Sequence, residues 1–207
     1  MGNNLYVSKD TGTVYKPVWL SILEDIPGGI TIALGRVPTT TTELKAGTLL
    51  IEGDTTGVYQ PVKAVRHNVI AQTDTYGTII YVEAGHLFKI GDYIGRSLAG
   101  RPTSSTIAVV GSNGTGSYIT ITNSIGSLNL LETLYEKSGG GANTSVNLYI
   151  PTCVLKNDVE VREADGTTLY NILASAVVRG TVDESLMPYP SDAAMKAGLS
   201  DRIQFLS

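Results

Sequence analysis

The residues of this chain that could carry catalytic or metal chemistry are few and scattered. There are two histidines, His67 and His86, and one cysteine, Cys153. Metal sites use His, Cys and carboxylates at short spacings such as HExxH or CxxC, and no such spacing occurs. Cys153 lies in an apolar run, which favours a buried small hydrophobe over a nucleophile. We expect no metal site and no cofactor.

Three other patterns point away from catalysis. Asp54 and Asp165 occupy matching turns, where side chains that accept bonds from their own backbone are favoured over a carboxylate pair in one pocket. The glycine-rich loop 111–116 lacks the Lys-Ser/Thr of a phosphate-binding loop. No serine lies in a GxSxG elbow, although a Ser–His–Asp site that converges only in space stays open. We predict that the chain is not an enzyme.

Composition limits the partners and the compartment. Only 16% of the 207 residues are charged, the net charge is −4, and no Lys/Arg cluster is present. Nucleic-acid binding needs a dense basic face, so no nucleic-acid partner is predicted. No stretch reaches the roughly 18 apolar residues of a membrane span, and the start does not resemble a signal peptide. We expect no membrane association and synthesis in a cytoplasm.

One phrase occurs twice and indicates how the chain is organised. Residues 47–66 and 159–180 both run from an apolar alternation through an acidic-Gly-Thr turn and a Tyr to a second apolar run. The aligned residues are Glu52, Asp54, Thr56 and Tyr59 with Glu163, Asp165, Thr167 and Tyr170. The repeat predicts one β-structure closed by distant segments, and chance similarity of two ordinary hairpins is the alternative.

The predicted fold is mainly β: a small β-barrel or sandwich closed by the two repeated hairpin units, with an inserted β module and a short C-terminal helix. We divide the chain into an extended N-terminal arm (1–36), a main β domain in two halves (37–77 and 146–207), the inserted module (78–137) and a Gly-rich linker (138–145). The arm is either an edge strand of the domain or a segment that adds to another chain's sheet.

Within the module, alternating apolar residues around Asn113-Gly114 predict a hairpin over 107–122. In the segment 88–92, Gly91 would permit a bend while Phe88 and Ile90 point inward.

Two helices are also predicted. Leu128, Leu131 and Leu134 recur at helical spacing near the end of the module. Ser191 is placed to cap a short helix that stops at Gly198.

Several phrases resemble those of bacteriophage head proteins. Residues 45–50 (KAGTLL), followed by an acidic turn and an apolar run that ends at Ala64-Val65, resemble the pattern of head decoration proteins, distantly that of phage lambda. Residues 27–29, 88–92 and 179–182, with Leu186 and Pro188, resemble auxiliary capsid or head-fibre proteins of phages of Bacteroidales, including crAss-like phages.

The resemblance implies a structural virion protein that binds the outer capsid surface as a homotrimer and cements neighbouring copies of the major capsid protein. Aromatic and apolar anchors dominate interfaces. We therefore predict that the capsid contact comprises Tyr6, Tyr15, Val18, Trp19 and Ile22, with a plain core position as the alternative for Trp19.

Two rival functions stay open. The first is a head-fibre or receptor- and glycan-binding protein, with candidate aromatics Tyr76, Tyr81, Tyr93 and Tyr118, half of which should face the core if strands alternate. The second is a hydrolase-like enzyme, which needs a cleft holding a perturbed carboxylate or His67.

Overall fold

The computed structural model describes residues 17–68, 78–96, 103–114, 116–140, 150–162, 171–199 and 201–207. These residues are mainly β, as predicted, with one 3-10 turn at Glu184–Leu186 and one short C-terminal helix, α1 (Ala193–Ala197). No helix within them is long and apolar enough to cross a membrane. The strands in chain order are β1 Trp19–Asp25, β2 Ile30–Ile32, β3 Glu43–Leu44, β4 Leu49–Glu52, β5 Val58–Pro61, β6 Ala64–Arg66, β7 Ile79–Val82, β8 Tyr93–Arg96, β9 Ser104–Asn113, β10 Gly116–Ile121, β11 Thr133–Glu136, β12 Cys153–Leu155, β13 Val159–Glu160, β14 Ile172–Ala174, β15 Ala176–Asp183 and β16 Ile203–Leu206.

The main sheet has eight strands drawn from both halves of the chain. Its order is β1-β15-β12-β4-β5-β2-β14, with β16 parallel to β15. Strand β12 lies between β4 of the first repeat and β15 of the second, and β2 lies between β5 and β14. Distant segments of the chain therefore lie in one sheet, as the repeat predicted, with β1 and β14 at its two ends.

The two repeats are used differently. In the first, β4 and β5 form an antiparallel hairpin. In the second, β13 pairs with β3, whereas β14 pairs with β2. The second turn, residues 163–170, lies outside the described part of the chain, and so do its aligned Glu, Asp, Thr and Tyr.

The central strands of the main sheet are buried on both faces. Side chains alternate along a strand, so neighbouring residues enter opposite layers. Leu49 and Val154 belong to one apolar cluster, while Leu50, Cys153 and Leu155 belong to another. The sheet is therefore sandwiched between two core layers, and its interior strands read as continuous apolar runs.

The second sheet curls back on itself. Its six strands follow the order β6-β11-β8-β9-β10-β7. The last strand returns beside the first: the Asn68 N–H donates to the Tyr81 carbonyl (2.9 Å) and the Glu83 N–H donates to the Arg66 carbonyl (3.1 Å). This barrel-like wall encloses a third apolar cluster that includes Phe88.

Strands β6 and β11 are shared by the two halves of the core. Ala64 and Tyr135 pack into the main-sheet cluster, whereas Val65 and Leu134 point into the barrel-like cluster. Strand β6 comes from the end of the first repeat, so the curled sheet combines that segment with residues 79–136. Each sheet therefore supplies part of the other's core.

A buried group of charges lies where the chain passes from one sheet to the other. The Lys63 side chain has no exposed surface, and its Nζ lies 2.5 Å from Asp92 Oδ2 and 3.2 Å from Glu136 Oε1. Arg36, from the loop after β2, donates to the same Glu136 oxygen at 2.6 Å. Asp92 Oδ2 also accepts the Lys89 N–H at 2.9 Å. Two cations and two carboxylates thus compensate one another across four chain segments.

Local predictions had mixed outcomes. The hairpin around Asn113 is confirmed as β9 and β10, which pair from Gly116↔Asn113 to Ile121↔Ile107. Phe88 is buried as predicted, but Ile90 is exposed, because the left-handed Gly91 (φ 90°) ends a turn that directs Ile90 outwards.

The helix predicted from Leu128, Leu131 and Leu134 is wrong. The segment forms a loop and then β11, and Leu131 is exposed with a positive φ of 59°. The C-terminal helix is present, but its cap is Asp192, whose carboxylate accepts the Met195 N–H, and not Ser191.

Removing one partner of the buried charges tests how firmly they hold the sheets. Asp92→Ala leaves the Lys63 ammonium buried with one carboxylate, so we expect the free energy of unfolding to fall by about 3 kcal/mol in chemical denaturation. The control Asp54→Ala, at an exposed turn, should change it by less than about 0.5 kcal/mol. Equal effects of both substitutions would contradict a structural role for the group.

Candidate functional site

The single thiol is not placed for chemistry. Cys153 lies on β12 between β4 and β15, at the centre of the main sheet, and is fully buried. Burial raises the pKa of the thiol to about 12, because the thiolate would lose its hydration. The thiol therefore stays protonated and serves as a small core side chain, as its sequence context predicted.

The two histidines contact the curled sheet and its apolar cluster. His67 is buried, its Nδ1 lies 2.9 Å from the Asn129 carbonyl oxygen, and it forms a bridge with Val82. Burial lowers the pKa of His86, whose ring packs against Phe88. Within the described residues, no group of three or more His, Cys, Asp or Glu side chains is arranged to hold a metal ion.

The acidic turn of the first repeat is organised by Glu52. Its Oε1 accepts the Gly57 N–H at 2.8 Å across the turn. Asp54 is exposed in the same turn, and its counterpart Asp165 lies outside the described residues. This turn is therefore held together by the Glu52 side chain.

A cleft of about 730 Å³ lies between the loop after β2 and the turn before β8. Its lining includes Leu34, Val37, Phe88 and Ile90, and the Lys89 Nζ spans it to donate to the Gly35 carbonyl at 2.7 Å. The Lys89 ammonium group already bonds the opposite wall of the cleft. This bridge favours a structural contact between the sheets over a catalytic pocket.

The feature that stands out is β1, an edge strand with an apolar, solvent-exposed surface. It pairs with β15 on one side, and no described strand pairs with its other side. Its five central residues are all exposed, including Leu20 (55%), Ile22 (40%) and Leu23 (71%). Exposed apolar edges are uncommon in free proteins because they invite association. We call residues 19–25 the edge surface.

The edge surface is held firmly at its back. Gly180 on β15 faces β1 so closely that a Cβ there would lie 2.6 Å from the Ser21 carbonyl oxygen. The Trp19 Nε1 donates to the Lys156 carbonyl at 3.0 Å, and the Lys156 Nζ lies 2.7 Å from Asp25 Oδ2. Salt bridging and hydrogen bonding lower the pKa of the Asp25 carboxyl. The strand is thus anchored at both ends while its middle faces solvent.

The residues predicted for the capsid contact are placed differently from one another. Tyr6 and Tyr15 lie outside the described residues. Val18 is buried in the main-sheet core, and Trp19 is partly buried against that core. Ile22 is exposed at the middle of the edge surface. Of the three that are described, Ile22 alone is exposed, with 40% of its surface accessible.

Leu20 and Leu23 were not singled out from the sequence, although they are the most exposed large apolar residues of β1. Polar and apolar residues do not alternate strictly in the run WLSIL, so the sequence does not show which side chains face outwards. In the structure, β1 has several register shifts against β15. A signal was present in the following Glu24-Asp25, which is unusual for an interior strand.

No family model, curated protein or solved structure matches this chain.

The assignment of Cys153 as a core residue can be checked by its reactivity. With its pKa near 12 and no access to solvent, the native thiol should react with Ellman's reagent at about pH 8 roughly a hundredfold more slowly than the thiol of the chain unfolded in guanidinium. The unfolded chain is the internal control. Rapid labelling of the native protein would contradict the assignment and reopen a nucleophilic role.

Proposed function

We propose that this chain is a structural virion protein that binds the outer surface of a phage capsid and stabilises neighbouring capsid subunits. The observation that carries the proposal is the edge surface, where Leu20, Ile22 and Leu23 are exposed on a strand anchored from behind. Support also comes from the resemblance to head decoration proteins. The proposed partner is the major capsid protein, and the proposed location is the capsid exterior.

Side chains, more than main-chain pairing, carry this contact. Strand β1 has register shifts between Trp19 and Ser21 and on both sides of Glu24, so its free edge is irregular. Bulges of this kind interrupt the regular row of N–H and C=O groups that strand addition requires. Three apolar side chains on an irregular edge favour burial in a groove of the capsid protein.

Repetition would make a modest contact sufficient. A standard protein interface buries roughly 1,600 Å², and a decoration protein repeats its contact at every equivalent capsid position. We propose a homotrimer at local threefold positions, because three edge surfaces then hold three neighbouring subunits at once. Multivalent attachment strengthens binding without any new contact.

The test is decoration of capsids that lack this chain, with Leu20→Ser/Leu23→Ser as the variant. Both leucines are exposed in the free protein and would be buried in the capsid contact. Their replacement should weaken capsid binding by about 3 kcal/mol, roughly a hundredfold in Kd, with little change in thermal stability. Co-sedimentation gives the affinity. Point substitutions are preferable to truncation, since Val18 lies in the core beside β1.

The matched control is Ile90→Ser, an equally exposed apolar residue on the curled sheet's side, which should bind capsids like the wild type. Cryo-electron microscopy of the mixture should give added density at local threefold positions. Density only at vertices or the tail would favour the alternative, a head-fibre or receptor-binding protein. Decoration that survives the double substitution would rule out the edge surface.

A further inference from the structure

The curled sheet carries a tyrosine-lined outer face that the capsid contact does not use. Strands β7, β10 and β9 lie side by side, and their pairing puts outward residues in register. One row joins Ile79, Thr120 and Val109, and the next joins Tyr81, Tyr118 and Gly111. The intervening row, which contains Ile80 and Ile119, points into the buried cluster. We call these two outward rows the tyrosine face.

The two tyrosine rings pack edge to face. Their ring centroids are 6.3 Å apart with an interplanar angle of 63°. A Cβ on Gly111 would lie 2.7 Å from the Oη and 2.8 Å from the Cζ of Tyr118, so the ring lies across the glycine. Only a glycine leaves that space. The Tyr118 ring thus rests on the sheet, and the residue is half-buried, so part of it is accessible to a ligand.

The strands that carry the rings are uncharged, and the neighbouring outward row exposes two apolar residues, Ile79 and Val109. None of the residues in β7, β9 and β10 is charged. The Asn113 amide donates to the Tyr81 hydroxyl at 3.4 Å, and Thr120 stands beside the rings in the register. A phosphate or an acidic peptide finds no compensating cation on these strands. A neutral ligand with hydroxyl groups matches them.

We propose that the tyrosine face binds a neutral saccharide, with the C–H face of a pyranose ring stacked on Tyr118. An aromatic face carries partial negative charge and attracts weakly positive edges and C–H groups. Neutral amide and hydroxyl side chains at the margin then supply hydrogen bonds to sugar hydroxyls. The proposal does not depend on capsid attachment, because the edge surface belongs to the other sheet.

Saturation-transfer difference NMR on the full chain tests this with methyl glycosides of glucose, galactose and mannose, and with glucuronate as the charged comparison. At least one neutral glycoside should bind with a Kd on the order of 1 mM, with the strongest transfer to protons of one ring face. Glucuronate should bind at least tenfold more weakly. Absence of binding by all three glycosides, or stronger binding of glucuronate, overturns the proposal.

Two variants separate stacking from stability. Tyr118→Leu keeps an apolar cover over Gly111 but removes the aromatic ring, and should weaken sugar binding at least tenfold while the melting temperature stays close to that of the wild type. Tyr118→Phe keeps the ring and should retain binding. Tyr93→Leu, a partly exposed tyrosine on β8, is the matched control and should also retain it. Unchanged sugar binding by Tyr118→Leu overturns the proposal. The proposal is also overturned if no sugar binds the chain and Tyr118→Leu instead abolishes its self-association.

Discussion

The arrangement of the molecule depends on the burial of one ammonium group. Lys63 stands between β5 of the main sheet and β6 of the curled sheet, and its side chain is shielded from solvent. A buried cation is tolerated only beside carboxylates, so the turn carrying Asp92 and the end of β11 carrying Glu136 must both reach it. Glu136 in turn receives Arg36 from the loop after β2. Removing any one of these four groups would leave a buried charge with less compensation, so the group links the segments at which the sheets meet.

The edge surface and the tyrosine face belong to two sheets that share strands of their cores. Because β6 and β11 send side chains into both cores, the sheets cannot move apart without exposing apolar area. The edge surface lies at one end of the main sheet, and the tyrosine face lies on the outside of the curled sheet. Under the proposed function, the main sheet would bind the capsid through the edge surface. The curled sheet would then present the tyrosine face without a flexible connection between the two sheets.

Turn chemistry predicted a hairpin and the repeat predicted that distant segments share a sheet, but the sequence could not assign the particular partner of each strand. The hairpin at Asn113 has both alternation and turn chemistry. Leu128 and Leu134 do pack into one cluster, but a loop and a strand bring them there as well as a helix would, so spacing alone misled. Exposure of Leu20 and Leu23 follows from β1 lying at a sheet edge, which depends on residues 176–183. The ring of Tyr118 over Gly111 depends on cross-strand register in the same way.

The pairing of β1 with β15 also has a consequence for the order of synthesis. Trp19 lies opposite Val182, so the strand made first among those described must wait for one of the last. Contacts of such high sequence separation form late and slow the folding of β proteins. On the ribosome, all six strands of the curled sheet are made before β15 emerges, whereas β1 has no partner among the described strands until then. The exposed apolar strand β1 is thus the segment that stays unpaired longest during synthesis. We therefore expect chaperones to bind residues 19–25 while the chain is being made.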